Sequence, residues 1–143
     1  MKRRTLRGQF TEGTTKRLVV DDGRLNNGYR ITQFVVSGEP SSSANDAYAT
    51  LSLDPNSPLV WDWSDNRQIA WASTNIVSTS GANTAFELVD PNHVVLQDLY
   101  IQGQVSTSGG TAPINYLVVL EPISLSDDEA ILTLIKERSQ NVD

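Results

Sequence analysis

The sequence predicts an all-β protein: an antiparallel, jelly-roll-like β-sandwich of about eight strands, with an N-terminal arm and one C-terminal helix. Three observations carry this reading. Short alternating or β-branched stretches recur from residue 16 to residue 121. Clusters of Asp, Asn, Gly and Pro punctuate them, and these residues satisfy local backbone groups or preset turn dihedrals. One amphipathic helical pattern appears, and it comes last. Antiparallel strands at this spacing close as a sandwich or barrel, and a jelly roll is the natural eight-strand solution. The 143 residues fit one domain. It divides into a basic arm or first strand at 1–17, a sandwich at 18–123, and a helix at 124–143 packed on the sandwich or on a neighbour.

Residues 6–11 read as a short strand or an extended arm, loosened by Gly8 and Gly13. Residues 16–20 form a strand candidate, then Asp21-Asp22-Gly23-Arg24 and Asn26-Asn27-Gly28 signal turns. Residues 29–37 are a strand, with Tyr29, Ile31 and Gln33 on one face and Phe34 and Val36 on the other. A polar loop over 38–46 leads to residues 47–53. There Ala47, Ala49, Leu51 and Leu53 alternate with polar residues, the mark of a half-buried strand. Residues 58–78 hold Trp61, Trp63 and Trp71, all the tryptophans of the chain. Trp61 and Trp63 are two apart and would share a strand face, with Asp62 toward water. The predicted element is a tryptophan-rich hairpin turning at residues 64–67. After a turn at 80–83, residues 86–89 form a short strand that Asp90-Pro91-Asn92 ends. Residues 96–105 alternate with Leu99, Ile101 and Gly103 inward, and 108–111 form a hairpin-type loop. Residues 114–121 are apolar on both faces, hence central, and Pro122 ends the strand because it cannot donate to a ladder. Ser126 to Glu129 is a capping box with Asp127 and Asp128 at the positive helix end. Ile131, Leu134 and Ile135 form the apolar stripe of a helix running to about residue 138 or 140.

Charge is unevenly spread. The net charge is −6, yet residues 1–30 carry eight of the eleven basic side chains and three acids, while the rest carries three basic and fourteen acidic ones. A basic arm on an acidic body can dock on copies of itself or on another acidic protein. The expected partner-binding residues are therefore Lys2, Arg3, Arg4, Arg7, Lys16 and Arg17, with Leu6 and Phe10 as apolar anchors. Residues 1–17 would reach away from their own sandwich. Ile131, Leu134 and Ile135 complete the set. Nucleic acid is the disfavoured rival, because the body is acidic and lacks interleaved basic and aromatic residues. No apolar run approaches the ~20 residues of a membrane helix. The basic start is followed by no apolar core, so no export signal is expected.

Chemistry-bearing constellations are sparse. There is no cysteine and one histidine, His93. A cupin-like metal centre would need two or three histidines with a carboxylate, so no metal and no cofactor are expected. No Gly-x-Ser-x-Gly elbow and no EF-hand spacing occur. Asp62, flanked by two tryptophans, is the one carboxylate placed for a sugar platform. No catalytic residue is assigned, and the protein is expected not to be an enzyme.

Three stretches carry a resemblance: the start, residues 1–26; Val60-Trp61-Asp62-Trp63-Ser64-Asp65-Asn66-Arg67-Gln68-Ile69-Ala70-Trp71; and the end, residues 114–140. Together they resemble small virion proteins of tailed phages from marine environments, including cyanophages. The resemblance implies a structural virion component, a capsid decoration (cement) protein that binds and stabilises the major capsid protein shell. Its alternative is a neck or tail component with a binding, carbohydrate-recognising sandwich. It further implies copies of the chain assembling with one another, a trimer being favoured, in the phage head after synthesis in the host cytoplasm.

Overall fold

Eight strands and a helix form in chain order: β1 (Arg4–Thr11), β2 (Thr15–Leu18), β3 (Asn27–Gly38), β4 (Asn45–Ser52), β5 (Gln68–Ile76), β6 (Asn83–Val89), β7 (Leu99–Val105), β8 (Pro113–Ser124) and α1 (Asp127–Val142). The computed structural model describes residues 3–20, 23, 27–38, 45–76, 83–105 and 112–142. The expected turn at 108–111, and most of the turns at 21–24 and 80–83 and of the loop at 38–46, lie outside those residues, as do Met1 and Lys2, while Asn27 and Gly28 of the expected turn at 26–28 already belong to β3. Gly23, which is described, has a φ of 81°, the left-handed conformation that its turn signal calls for.

Strands pair in the order β1-β8-β3 in one sheet and β2-β7-β4-β5-β6 in the other. All pairings are antiparallel. The chain crosses between sheets from β1 to β2, β2 to β3 and β3 to β4, and returns from β7 to β8, which enters between β1 and β3. This is jelly-roll winding. β7 and β8 thus lie in different sheets, so the segment between them does not close the hairpin expected at 108–111.

One strand departs from the full eight-strand scheme. β6 pairs with β5 rather than with β3. Side chains close the gap: Glu87 accepts the Phe34 N–H at 2.7 Å, and the Thr74 hydroxyl donates to the Val36 carbonyl. Two backbone groups on the free edge of β3 are thus satisfied without a ladder, as buried backbone groups require.

The core fills between the sheets. Phe34, Leu51, Ile69, Leu99, Ile101, Ile114, Val118 and Leu120 are all fully buried. Gly103 lies where there is no room for a side chain. A Cβ there would stand 2.8 Å from the Tyr48 carbonyl oxygen and 2.9 Å from both Phe10 and Ile114. Strict alternation would put Ile31 opposite to Phe34, but both are buried. A register shift between Ile31 and Gln33 turns both inward, which is what a β-bulge does.

β8 continues through Pro122 to Ser124 instead of ending there. Tyr29, its partner, sends both backbone groups the other way, donating to the Val95 carbonyl at 2.9 Å and accepting from Val95 N–H at 2.7 Å. Pro122 therefore sits in a non-hydrogen-bonded pair. On its other side β1 has already stopped at Arg4, opposite Leu120. No donor is missed.

Two larger expectations are corrected. Residues 4–18 do not reach away from the sandwich. β1 pairs with β8 along its whole length, from Arg4 opposite Leu120 to Thr11 opposite Pro113, and β2 pairs with β7. Charge pattern points to an arm, but alternation of Leu6 and Phe10 with polar residues fits a strand just as well, and pairing with central β8 decides it. The tryptophan hairpin is also absent. Residues 53–67 form a loop, and β5 starts only at Gln68.

Candidate functional site

The loop over 53–67 is built from turns because its own side chains compete with a strand ladder. Asp62 Oδ1 accepts the Ser64 N–H at 3.0 Å, and Asp65 Oδ1 accepts the Arg67 N–H at 3.0 Å. Pro58 offers no N–H. Arg67 returns to Asp65 through Nε at 2.9 Å and Nη2 at 2.8 Å, a bidentate pair. That hydrogen bonding, opposed by burial, holds the Asp65 carboxyl below its usual carboxylate range.

Gln68 fastens the loop to the outer face of the five-stranded sheet. It is buried, and its amide is fully used. Oε1 accepts the Asp62 N–H at 3.0 Å and the Trp71 indole N–H at 2.9 Å. Nε2 donates to the Pro58 and Val60 carbonyls at 3.1 and 2.9 Å. From β7, Gln102 adds a bond to the Ser57 carbonyl at 2.7 Å.

The strapped loop creates an aromatic surface. In register, Thr50 pairs with Trp71, which pairs with Leu88; Tyr48 pairs with Ser73, which pairs with Phe86. These residues share the outer face of their sheet. Trp61 comes down from the loop between Tyr48 and Phe86, with ring centroids 6.3 and 5.7 Å away. Trp63 stands edge-on to Trp71 at 6.2 Å. Trp71 is buried beneath, while Trp63 is 65% exposed and Val60, Phe86 and Leu88 are exposed beside it. The expectation that Trp61 and Trp63 face the core is thus corrected: both belong to the outer face. The signal for the rest of this surface lies in residues 84–88, where Phe86 and Leu88 alternate with Ala85 and Glu87. Nothing in that pattern says which side faces water.

Two further surfaces are apolar and uncovered. An open groove of about 480 Å³ crosses the outer face of the three-stranded sheet, with Val35 and Leu117 at its floor and Arg7, Gln9 and Asn115 along it. On α1, Ile131 is 48% and Ile135 55% exposed, and Leu132 is exposed beside them. Of the expected stripe, Ile131 and Ile135 are thus largely exposed, while Leu134 is half-buried and Ala130 beside it fully so. The helix start is as the capping box predicts: Ser126 Oγ accepts the Glu129 N–H at 3.2 Å and donates to Glu129 Oε1 at 3.0 Å.

The other expected contact residues are largely engaged within the chain. Arg4 donates to the Val19 and Val20 carbonyls at 2.9 and 3.0 Å and lies 5.9 Å from the Tyr29 ring centroid. Lys16 donates to the Gln9 carbonyl at 3.2 Å and lies over Tyr116. Arg17 pairs with Asp98. Phe10 is core and Leu6 packs against it, so neither is an outward anchor. Arg3 and Arg7 are exposed.

Carboxylates serve structure at the positions described. Asp62, the carboxylate singled out between tryptophans, caps its turn and also accepts the Ser64 hydroxyl at 2.6 Å. His93 Nδ1 lies 3.7 Å from Asp90 at a turn. Buried Glu12 accepts the Val105 and Ala112 N–H groups at 2.9 and 3.1 Å, joining the end of β7 to the approach to β8. Among the described residues no three His, Asp or Glu side chains cluster as metal ligands would. No helix among them is long and apolar enough to cross a membrane. The molecule is thus an antiparallel β-sandwich bearing uncovered apolar surfaces. No protein-family model and no curated protein matches the chain.

Proposed function

We propose that this protein is a structural component of a phage virion, a capsid decoration (cement) protein that seats its sandwich on the major capsid protein shell. In this reading it performs no enzymatic step, assembles with copies of itself, with a trimer favoured, and resides in the phage head after synthesis in the host cytoplasm. The observation that carries the proposal is the uncovered outer face around Val60, Trp63, Phe86 and Leu88. Contiguous apolar surface rimmed by polar residues marks an interaction site. Exposed aromatics of this kind supply the anchors of protein interfaces. The test is binding of the purified protein to heads assembled without it. Trp63→Ser combined with Phe86→Ser should weaken binding more than tenfold at unchanged melting temperature. Equal binding by that variant would remove this face from the interface.

A second reading follows from the exposure of Trp63 beside Trp61: a neck or tail component whose sandwich binds carbohydrate. Indole rings stack on sugar faces, and the Asp62 and Ser64 loop would supply polar contacts. Titrating oligosaccharides while following tryptophan emission separates the readings. A saturable change lost in Trp63→Ser favours the sugar, and no change favours the shell.

A further inference from the structure

We infer that copies of this chain join head to tail, the α1 helix of one copy lying in the groove across the three-stranded sheet of the next. This rests on the self-association in the proposed function but not on the shell, and it names the two surfaces that meet. Ile131, Leu132 and Ile135 make one patch, since positions one, three and four apart adjoin on a helix. Its N-terminal end carries Asp127 and Asp128, both exposed. The groove offers the complement. Val35 and Leu117 form an apolar floor, and its one charged lining residue is Arg7, with no carboxylate among them. A volume of about 480 Å³ lies within the range that takes apolar groups of ligand size. An amphipathic helix in a groove is a recurrent mode of recognition, read through anchors at this spacing.

Among the described residues, the groove is lined by β1, β3 and β8 alone, and α1 does not enter it. α1 leaves β8 beyond Ser124, at the end that pairs with Asn27, whereas the groove lies near Leu117. Seven residues of strand separate them, roughly 23 Å at the usual rise. α1 of each copy thus begins at the far end of its sheet from the groove, and none of its described residues lines that groove. Because the two surfaces differ, the contact is heterologous, and a closing rotation gives a ring such as the favoured trimer.

The experiment uses the full chain and measures mass in solution by sedimentation, with circular dichroism as the check on folding. The helix variant carries Ile131→Asp with Ile135→Asp. The groove variant carries Arg7→Glu with Gln9→Glu, both at exposed positions. Wild type should assemble, and each variant alone should run as a monomer. Their mixture should form a one-to-one dimer, because each variant retains one intact surface. Should the double helix variant misfold, Ile135→Asp alone replaces it. A monomeric wild type, a groove variant that assembles like wild type, or a mixture that stays monomeric would each overturn the proposal. Head binding is read separately, so loss of the shell reading leaves this result standing.

Discussion

Gln68 shows how one side chain fixes a surface. Its four hydrogen bonds hold the loop backbone at Pro58, Val60 and Asp62 and orient Trp71. Gln68→Leu would leave buried donors and acceptors unmatched, each costing about 1–3 kcal/mol. A loss of about 3 kcal/mol is expected, with a red shift of tryptophan emission as Trp71 meets water. Thermal unfolding followed by fluorescence measures both. Gly103 works by absence. Gly103→Val would drive a side chain into Phe10 and Ile114, and overpacking of this kind costs about 1–3 kcal/mol, read as a lower unfolding midpoint. Asp65 gives a pH dependence of fixed sign. Its folded pKa is depressed, so the unfolded chain takes up its proton first. The clasp on Arg67 is complete above the ordinary carboxylate value of about 4 and is lost as pH falls through the lower folded value. Asp65→Asn should therefore flatten the stability profile on the acid side and leave its neutral slope unchanged.

At the scale of elements, β1 and α1 are opposites. β1 is locked in by its pairing with β8 and by Glu12 just beyond it, whose carboxylate takes two backbone N–H groups. Glu12→Ala should cost about 2–4 kcal/mol, because two amides lose their acceptor inside the protein. Glu12→Gln, keeping one acceptor, should cost less, and denaturant titration ranks the two. α1 depends on its own cap and on whatever covers its outer face. Ser126→Ala removes the capping box, worth about 1 kcal/mol of helix stability. Far-ultraviolet circular dichroism should report a frayed helix while the sandwich melts at its former temperature. If instead the sandwich melts early, α1 contributes to the fold more than its exposed stripe implies.

For the whole molecule, the last strand lies at the middle of the three-stranded sheet and the first pairs with it along the edge, so segments far apart in the chain complete the core. Deleting residues 1–11 removes an edge strand, exposes one side of β8 and takes out buried Phe10. Such a truncation should unfold the protein rather than merely lower its affinity for a partner. A soluble truncated chain with native circular dichroism would show that β1 is dispensable. Long-range pairing of this kind also makes folding slow, because loop closure precedes the contacts that reward it. Charge is organised at this scale too: Arg7 lies on the three-stranded sheet with Arg3 just before its first strand, and Asp127 and Asp128 open the helix that follows it.

The sequence alone determined the strand class, the order of most elements, the inward faces of β4 and β7, the central place of β8, and the helix cap. Those features depend on neighbours within a few residues: alternation, turn chemistry and a box of four positions. Only the tertiary structure decided the rest. Leu6 and Phe10 alternate whether residues 4–11 swing free or pair with β8, and pairing is a contact across more than a hundred residues of chain. Trp61 and Trp63 have strand spacing, yet Asp62, Asp65 and the distant Gln68 pull their backbone into turns. The bulge beyond Ile31 reverses a face that parity alone assigns wrongly. The apolar residues of α1 and β6 read as buried in any one-dimensional pattern. Phe86 and Leu88 stay in solvent because they lie on the outer face of the five-stranded sheet, and Ile131, Leu132 and Ile135 because they lie off the side of α1 where Ala130 and Leu134 are covered.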